Sequence, residues 1–233
     1  MEDSAKVLYD TGISIFGLGN LQITSYMVTA AVITLLLCIL ALIIRKKCTS
    51  TGTPGKFQNV VEWAVGGLYN FYGDVLGKDK LDKYFPYVAT LFVFILVSNY
   101  TGLLPMAGHV EGFAAPTSAL GFTVGLALMT FVVTHVSGFK NNGLGYLKHF
   151  ITPFAFMLPF LILDELVKPV SLSLRLYGNV MGGETVIGQL FNMVPILVPV
   201  LMQALELLLG FLQALVFAML TSIYITTAIG EEH

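Results

Sequence analysis

Long apolar stretches, each near the length of a membrane span, are the feature that most constrains this sequence. The first extends from Ile23 to Ile44 and ends at the basic triplet Arg45, Lys46 and Lys47. An α-helix needs about 20 apolar residues to cross the hydrocarbon core of a bilayer. Only 11% of the residues are Asp, Glu, Lys or Arg, whereas soluble domains contain about 25%. We therefore predict a membrane-embedded chain, and its net charge of -2 argues against nucleic-acid binding.

The apolar and polar patterns predict an all-α polytopic membrane protein that forms a single membrane domain. Three ordinary transmembrane helices, one amphipathic surface helix and a long, strongly tilted C-terminal helical hairpin account for most of the chain. The amphipathic helix is indicated by apolar residues at three-to-four-residue steps, although a helix packed flat on protein would have the same pattern. The expected segments are an N-terminal segment at 1–22, spans at 23–44, 87–104 and 118–136, the surface helix at 54–77, and hairpin helices at 153–190 and 195–229.

The distribution of basic residues predicts the orientation of these spans. Of the twelve Lys and Arg residues, nine lie in segments that the predicted crossings place on one side, and only Lys6 lies on the other. Loops rich in Lys and Arg stay in the cytoplasm. We therefore expect the N-terminus to be extracytoplasmic and the C-terminal Glu231, Glu232 and His233 to be cytoplasmic.

The last two segments are too long to cross the membrane upright. As helices they would extend about 57 Å and 52 Å at about 1.5 Å per residue, against about 30 Å of hydrocarbon. Helices of this length must tilt, kink or protrude, and Pro159 and Pro169 are candidate kinks in the first of them. These lengths predict a strongly slanted hairpin.

Polar and ionisable residues form a stripe in the first hairpin segment. Lys168, Ser171, Arg175 and Asn179 are three or four positions apart and therefore share one helix face. An ionisable group at membrane depth costs about 2.5–3.5 kcal/mol, so such residues are candidates for function. The Arg175 guanidinium cannot lose its proton and is a permanent positive charge.

A second polar stripe follows one face of the last segment. A carboxylate in such a stripe can cycle between its charged and neutral forms, which a guanidinium cannot do. In the first segment, Gly178 and Gly182 have the spacing that lets a second body approach the helix backbone near Arg175. The two stripes together indicate an ion-conduction path. The members of the second stripe are Gln203, Glu206, Gly210, Gln213 and Tyr224.

A purely structural ion pair is the alternative for Arg175, with Asp164, Glu165, Glu184 or Glu206 as its partner. The sequence contains no His, Cys and Asp cluster at metal-ligand spacing, no Gly-rich phosphate loop and no nucleophile motif. We therefore expect no metal, no cofactor and no catalytic site in this chain.

The run Ser171-Leu-Ser-Leu-Arg175-Leu-Tyr-Gly-Asn179 resembles the signature of the a subunit of F-type rotary ATP synthases, the stationary membrane partner of the c-ring. The resemblance covers most of the chain from about Pro54 onward. Further segments that are similar to this family are Ser98–Pro105, Ala115–Thr117, Lys168-Pro169, Gln213–Phe217 and Glu231–His233.

This resemblance implies a stationary ion-translocating subunit with two aqueous half-channels. They would pass protons, or sodium ions, to and from the c-ring carboxylates and so couple the ion gradient to rotation and ATP synthesis. Arg175 would separate the half-channels. The residues that match the outer half-channel are Asn179, Glu184, Glu206 and Gln213. The residues toward the cytoplasmic exit are Ser171, Lys168, Asp164 and Glu165.

The resemblance also implies partners and a location. The expected partners are the c-ring subunits, the peripheral-stalk b subunits, membrane lipid and the translocated H⁺ or Na⁺, and the expected location is the bacterial plasma (inner) membrane. Two positions depart from some relatives, which have histidine in place of Glu206 or aspartate in place of Gly102. Two alternative functions stay open, a secondary transporter that binds an anionic substrate at Arg175 and a passive membrane anchor. No internal repeat accompanies the Arg175 segment, which counts against the transporter.

Overall fold

The computed structural model describes residues 7–14, 20–48, 55–103, 114–143, 158–193 and 197–230, and these ranges are mostly helical. A 3₁₀ turn at Pro116–Ser118 precedes the fourth helix. The prediction of an all-α polytopic membrane protein is confirmed. The helices of the described ranges are α1 (Ser25–Lys47), α2 (Lys56–Leu76), α3 (Lys78–Gly102), α4 (Leu120–Asn142), α5 (Leu158–Met193) and α6 (Leu197–Ile229).

A two-stranded hairpin precedes α1. Strand β1 (Val7–Ser14) pairs antiparallel with β2 (Asn20–Thr24), with Val7 opposite Thr24 and Ser14 opposite Asn20. The register shifts between these pairs. The hairpin lies almost entirely in the N-terminal segment at 1–22, for which the sequence predicted no regular structure, and the first helix begins directly after it.

Four helical segments are long and apolar enough to cross a membrane: Ser25–Lys47, Lys80–Gly102, Leu120–Asn142 and Val198–Ile229. Helix α1 buries only Ser25, Thr29 and Ile33, and its remaining apolar side chains are largely exposed. Exposed apolar surface of this extent is suited to lipid. The chain is therefore an integral membrane protein. Helix α5 is not among the four segments, and both its crossing and the tilt of the hairpin stay predictions.

Helix α2 lies between two glycines. Gly77, which follows it, has a φ of +75°, a left-handed conformation that residues with a Cβ rarely adopt, and α3 begins one residue later. Trp63 is 81% exposed, as expected for a side chain in the headgroup layer, whereas Tyr72 is fully buried. Helix α2 therefore has one face packed on protein and one face open.

Helix α3 begins at Lys78, well before the predicted start of this span at Tyr87. Pro86 lies inside the helix without ending it. The early start has a packing reason, since Leu81, Tyr84 and Val88 are all buried and lie three or four positions apart on one helix face. In the same way Pro169 lies within α5 without interrupting it, so the contacts of the flanking turns outweigh the lost backbone hydrogen bond.

Contacts between residues divide the chain into two compact units. Unit 1 consists of residues 1–50, 94–119 and 177–212, and unit 2 consists of residues 51–93, 120–176 and 213–233. Helices α3, α5 and α6 each contribute residues to both units.

Unit 2 holds the C-terminal end of α6 through its last carbonyl groups. Lys80 Nζ donates to the carbonyl oxygen of Gly230 at 2.8 Å, and Asn142 Nδ2 donates to that of Ile229 at 2.7 Å. Helix C-termini leave backbone carbonyls without intrahelical partners, and these two side chains supply partners. The end of α6 is thereby fixed to α3 and α4.

The interior of unit 1 contains polar side chains. Ser98, Asn99, Thr117 and Ser118 are all buried. Asn99 Nδ2 donates to the carbonyl oxygen of Gly210 at 3.0 Å, which joins α3 to α6. Buried polar groups are costly in hydrocarbon, so this interior is suited to polar contents.

Candidate functional site

Arg175 is on an exposed face of α5, in unit 2. Leu172 and Leu176 on either side of it are buried, whereas Leu174 is exposed and Arg175 itself is exposed. Within the described part of unit 2, no carboxylate forms an ion pair with Arg175. The Tyr224 side chain lies within electrostatic range of its charge.

The exposed face continues past Arg175 along α5. Gly178 and Gly182 follow three and seven positions later and are both exposed. A Cβ placed on either glycine would meet no described atom within 4 Å. This glycine strip belongs to unit 1 and leaves the helix backbone accessible to a second body there.

The carboxylates nearest to Arg175 along α5 have a different partner. Lys168 Nζ lies 2.5 Å from Glu165 Oε1 and 3.6 Å from Asp164 Oδ2. Lys168 also lies over the ring of Tyr224, 5.6 Å from its centroid. The alternative in which Asp164 or Glu165 neutralises Arg175 is therefore not realised in unit 2. Ser171, the remaining predicted residue of this group, is half-buried on α5.

Glu184 and Glu206 lie close together in unit 1, within electrostatic range of each other. The Glu184 carboxylate contacts the side chain of Ser118. A Cβ on Gly102 would be only 2.8 Å from Glu184 Oε1, so the absence of a side chain there makes room for this carboxylate. In the same way the Glu206 carboxylate occupies the position that a Cβ on Gly183 would take. Two glycines therefore accommodate the two acids.

Two amides at predicted site positions lack partners. Asn179 Nδ2 in unit 1 and Gln213 Nε2 in unit 2 are buried and have no hydrogen-bond partner among the described residues. A buried donor without a partner costs about 1–3 kcal/mol, so such donors point to water as the acceptor. The predicted outer residues are thus divided, with Asn179, Glu184 and Glu206 in unit 1 and Gln213 in the unit that contains Arg175.

Several residues of these sites were not predicted from the sequence. Ser118 contacts both Glu184 and the hydroxyl of Tyr26. Neither Ser118 nor Tyr26 belongs to a polar stripe. In unit 2, His135 Nε2 lies 4.0 Å from Glu165 Oε2. The only signal in the sequence was polarity inside apolar runs. In the ranges that the structure covers, no group of three or more His, Cys, Asp or Glu residues could hold a metal ion.

Comparison with known proteins identifies the family. Residues 25–226 match the family described as ATP synthase A chain. The chain is 41% identical over 184 residues to "ATP synthase subunit a 3" of Pelobacter propionicus, which covers 77% of each chain. It is 37% identical over 229 residues to "ATP synthase subunit a 1" of Syntrophotalea carbinolica, which covers 97% of this chain and 94% of that relative. It is also 39% identical over 185 residues to "ATP synthase subunit a" of Desulfotalea psychrophila, covering 77% of this chain and 74% of the relative.

These matches extend over nearly the whole chain and agree with the membrane helices and the Arg175 segment. The chain therefore belongs to the ATP synthase A chain family and is a membrane-sector subunit of an F-type ATP synthase, a complex in which it works together with other subunits.

Proposed function

We propose that this chain is the stationary ion-translocating subunit of its ATP synthase. It forms two half-channels that pass ions to and from the carboxylates of a c-ring, and Arg175 separates them. The observation that carries the proposal is the exposed Arg175 guanidinium, which has no carboxylate partner in the described part of its unit and is followed by the Gly178 and Gly182 strip. A charge without a partner in its own unit is costly in a membrane protein, which supports a partner outside the chain.

A c-ring carboxylate is the partner that best fits this surface. When ionised, it pairs with the Arg175 guanidinium across the glycine strip, and the fixed positive charge keeps a free cation from passing between the half-channels. The membrane potential contributes about 2.3 kcal/mol per elementary charge per 100 mV, and in this arrangement it falls across the half-channels. An ion can then cross the membrane only while it is bound to a ring carboxylate, so ion flow down the gradient drives rotation of the ring.

The outer half-channel is formed by the two acids of unit 1 and the polar groups beside them. Glu184 and Glu206 lie within electrostatic range of each other, and Ser118 contacts the first of them. The partnerless amide of Asn179 adds a donor for water. We assign Gln213 to the junction with Arg175, since its side chain is buried in the same unit.

The cytoplasmic half-channel is formed by the group around Lys168. Lys168 is paired with Asp164 and Glu165, so its charge is balanced and leaves Arg175 as the dominant cation near the ring surface. Ser171 lies on the same face of α5, between Lys168 and Arg175. The orientation that places this group toward the cytoplasm follows from the positions of the basic residues, which include Lys80 and Lys83 of the same unit.

Arg175→Ala tests the proposal in vesicles that contain the complete complex. We expect coupled ATP synthesis to be lost, while ATP hydrolysis by the soluble head continues. Arg45→Ala is the matched control, because Arg45 is the other arginine of the chain and lies at the exposed end of α1, next to Lys46 and Lys47. If Arg175→Ala synthesised ATP as well as the control, the chain would be a passive anchor.

Two further measurements define the transported ion and exclude a transporter. Acceleration of ATP-driven pumping by millimolar sodium would assign sodium, and its absence would assign protons. The purified chain reconstituted without a ring should take up no anionic substrate, and uptake by the chain alone would favour a secondary transporter instead.

A further inference from the structure

A pocket inside unit 2 has no role in the ion path proposed above. It lies between α4, α5 and α6 and has about 240 Å³ of empty volume, part of which is open solvent, with enclosed room for about one water. Apolar side chains form part of its wall. The polar residues that line it are Thr130, Thr134 and His135 from α4, Glu165 and Lys168 from α5, and Tyr224 from α6. Helix α4 carries none of the predicted site residues, yet it supplies half of these polar groups.

The hydroxyl group of Thr134 points to a ligand in this pocket. Thr134 is 5% exposed, and its Oγ1 has no hydrogen-bond partner among the described residues. Other threonine hydroxyls of α4 are paired: Thr123 Oγ1 donates to the Leu120 carbonyl oxygen at 3.0 Å, and Thr130 is 3.4 Å from the Tyr87 hydroxyl. A buried hydroxyl without a protein partner, in a pocket with room for a water, is suited to binding that water.

His135 faces Glu165 across the same pocket. Its Nδ1 is 3.0 Å from the carbonyl oxygen of Phe131, and a carbonyl can only accept, so Nδ1 carries a hydrogen. Nε2 is then left 4.0 Å from Glu165 Oε2. In the neutral imidazole this atom presents a lone pair to the carboxylate, whereas in the protonated imidazole it presents a positively charged N–H. The attraction between His135 and Glu165 therefore depends on a proton.

Each carboxylate oxygen of Glu165 has a different basic side chain near it, Lys168 at Oε1 and His135 at Oε2. Lys168 is bound to it at 2.5 Å, and a protonated His135 would attract it from the opposite helix. The other titratable groups around the imidazole are Asp164 on α5, Tyr224 on α6 and, through Thr130, Tyr87 on α3. Lys168 is the centre of the proposed cytoplasmic half-channel, so a shift of Glu165 changes the charge that an ion meets there.

We propose that the pocket holds a water of the ion path and that His135 is a positioning residue, which when protonated attracts Glu165 in addition to Lys168, weakens the pair between Glu165 and Lys168 and so promotes ion exchange with the cytoplasmic side. This inference rests on the proposed function, since it assigns a role within one of the two half-channels. The Thr134 hydroxyl holds the water that connects the pocket to Glu165. Helix α4 thereby contributes to the ion path together with α5 and α6.

The test uses inverted membrane vesicles containing the complete membrane sector, from which the soluble head has been stripped. Passive proton flux under a fixed potential is measured while the external pH is varied from about 5.5 to 8.5, the range in which imidazoles titrate. We expect the wild-type flux to change with external pH. His135→Gln should flatten this profile and lower the flux at acid pH by about two- to fivefold, the effect of a partly exposed ion pair. His135→Lys, which keeps a positive charge at every pH used, should restore the flux without its pH dependence.

Thr134→Val removes the hydroxyl at nearly constant volume and should also lower the flux. Thr123→Val is its matched control, because Thr123 is equally buried on the same helix but does not line the pocket. Fluxes are normalised to the amount of chain in the vesicles, and His135→Asn replaces His135→Gln if the latter does not assemble.

A wild-type pH profile in the neutral His135 variant would overturn the inference. Equal fluxes in Thr134→Val and Thr123→Val would overturn the assignment of the pocket as part of the path. Arg175→Ala in the complete complex separates the two levels: if it keeps coupled synthesis, the proposed function fails, and if it loses synthesis while the His135 and Thr134 variants behave as wild type, only the present inference fails.

Discussion

Gly183→Ala tests whether the placement of the Glu206 carboxylate limits ion transfer. That carboxylate fills the space where a Cβ of residue 183 would be, so an alanine forces it to move. Alanine stabilises a helix by about 0.5–1 kcal/mol relative to glycine, so the backbone of α5 is not weakened. The carboxylate must shift by more than about 1 Å to reach van der Waals distance from the new methyl group. The free-energy cost of the substitution is therefore the displacement of the Glu206 side chain.

The magnitude follows from the side-chain conformation that Glu206 must give up. An off-rotamer side chain costs about 0.5–1.5 kcal/mol, which lowers a rate that depends on this conformation by about two- to tenfold. The assay is ATP-driven proton pumping into inverted vesicles, normalised to ATP hydrolysis. Gly188→Ala is the matched control, because a Cβ at Gly188 on the same helix would meet no described atom within 4 Å.

A second substitution distinguishes displacement of the carboxylate from general damage. Glu206→Asp shortens the side chain by one methylene group and should restore part of the pumping in the Gly183→Ala background. Pumping by Gly183→Ala at the rate of the Gly188→Ala control would refute the reasoning. The reasoning would also be refuted if the double variant Gly183→Ala with Glu206→Asp pumped no faster than Gly183→Ala, provided that Glu206→Asp alone is active.

Two further predictions follow from contacts in the two units. Gly102→Ala would place a methyl group 2.8 Å from Glu184 Oε1, a smaller overlap than the one at Gly183. We therefore expect ATP-driven pumping to fall less than in Gly183→Ala. An equal or larger loss of pumping would contradict the geometry. Lys80→Met removes the hydrogen bond to the last turn of α6 and should lower the thermal stability of the purified complex by about 0.5–1.5 kcal/mol. An unchanged melting temperature of the membrane sector would show that the Lys80 hydrogen bond does not stabilise this end of α6, to which Asn142 also donates.

The polar stripe on α5 could be predicted from the sequence because it depends only on helical spacing. Lys168, Ser171 and Arg175 share a face in any helix, and the exposure of Arg175 agrees with a face that awaits a partner. The membrane helices were predictable for the same reason, since a run of apolar residues has few other folds open to it. By contrast, the β1 and β2 hairpin depends on pairing between two short segments that carry no strong alternation.

Contacts between helices could not be predicted from spacing. The sequence indicated that Glu184 and Glu206 are costly in a membrane. The space that their carboxylates occupy is left by Gly102 and Gly183, and the fit of Glu206 against Gly183 depends on how closely α5 and α6 approach. His135 belongs to neither polar stripe, and only the packing of α4 on α5 brings it to Glu165. The C-terminal Glu231–His233, expected in the cytoplasm, lies outside the described residues.

The central claim is that the charge of Arg175 separates the two half-channels, and proton leakage past a stationary ring tests it most directly. The c-ring is cross-linked to this chain in vesicles without the soluble head, so that it cannot rotate, and a potential of about 100 mV is applied, worth about 2.3 kcal/mol per charge. The wild-type membrane sector should conduct no protons, whereas Arg175→Ala should leak. A variant with the ring held still that is as tight as the wild type would contradict the account.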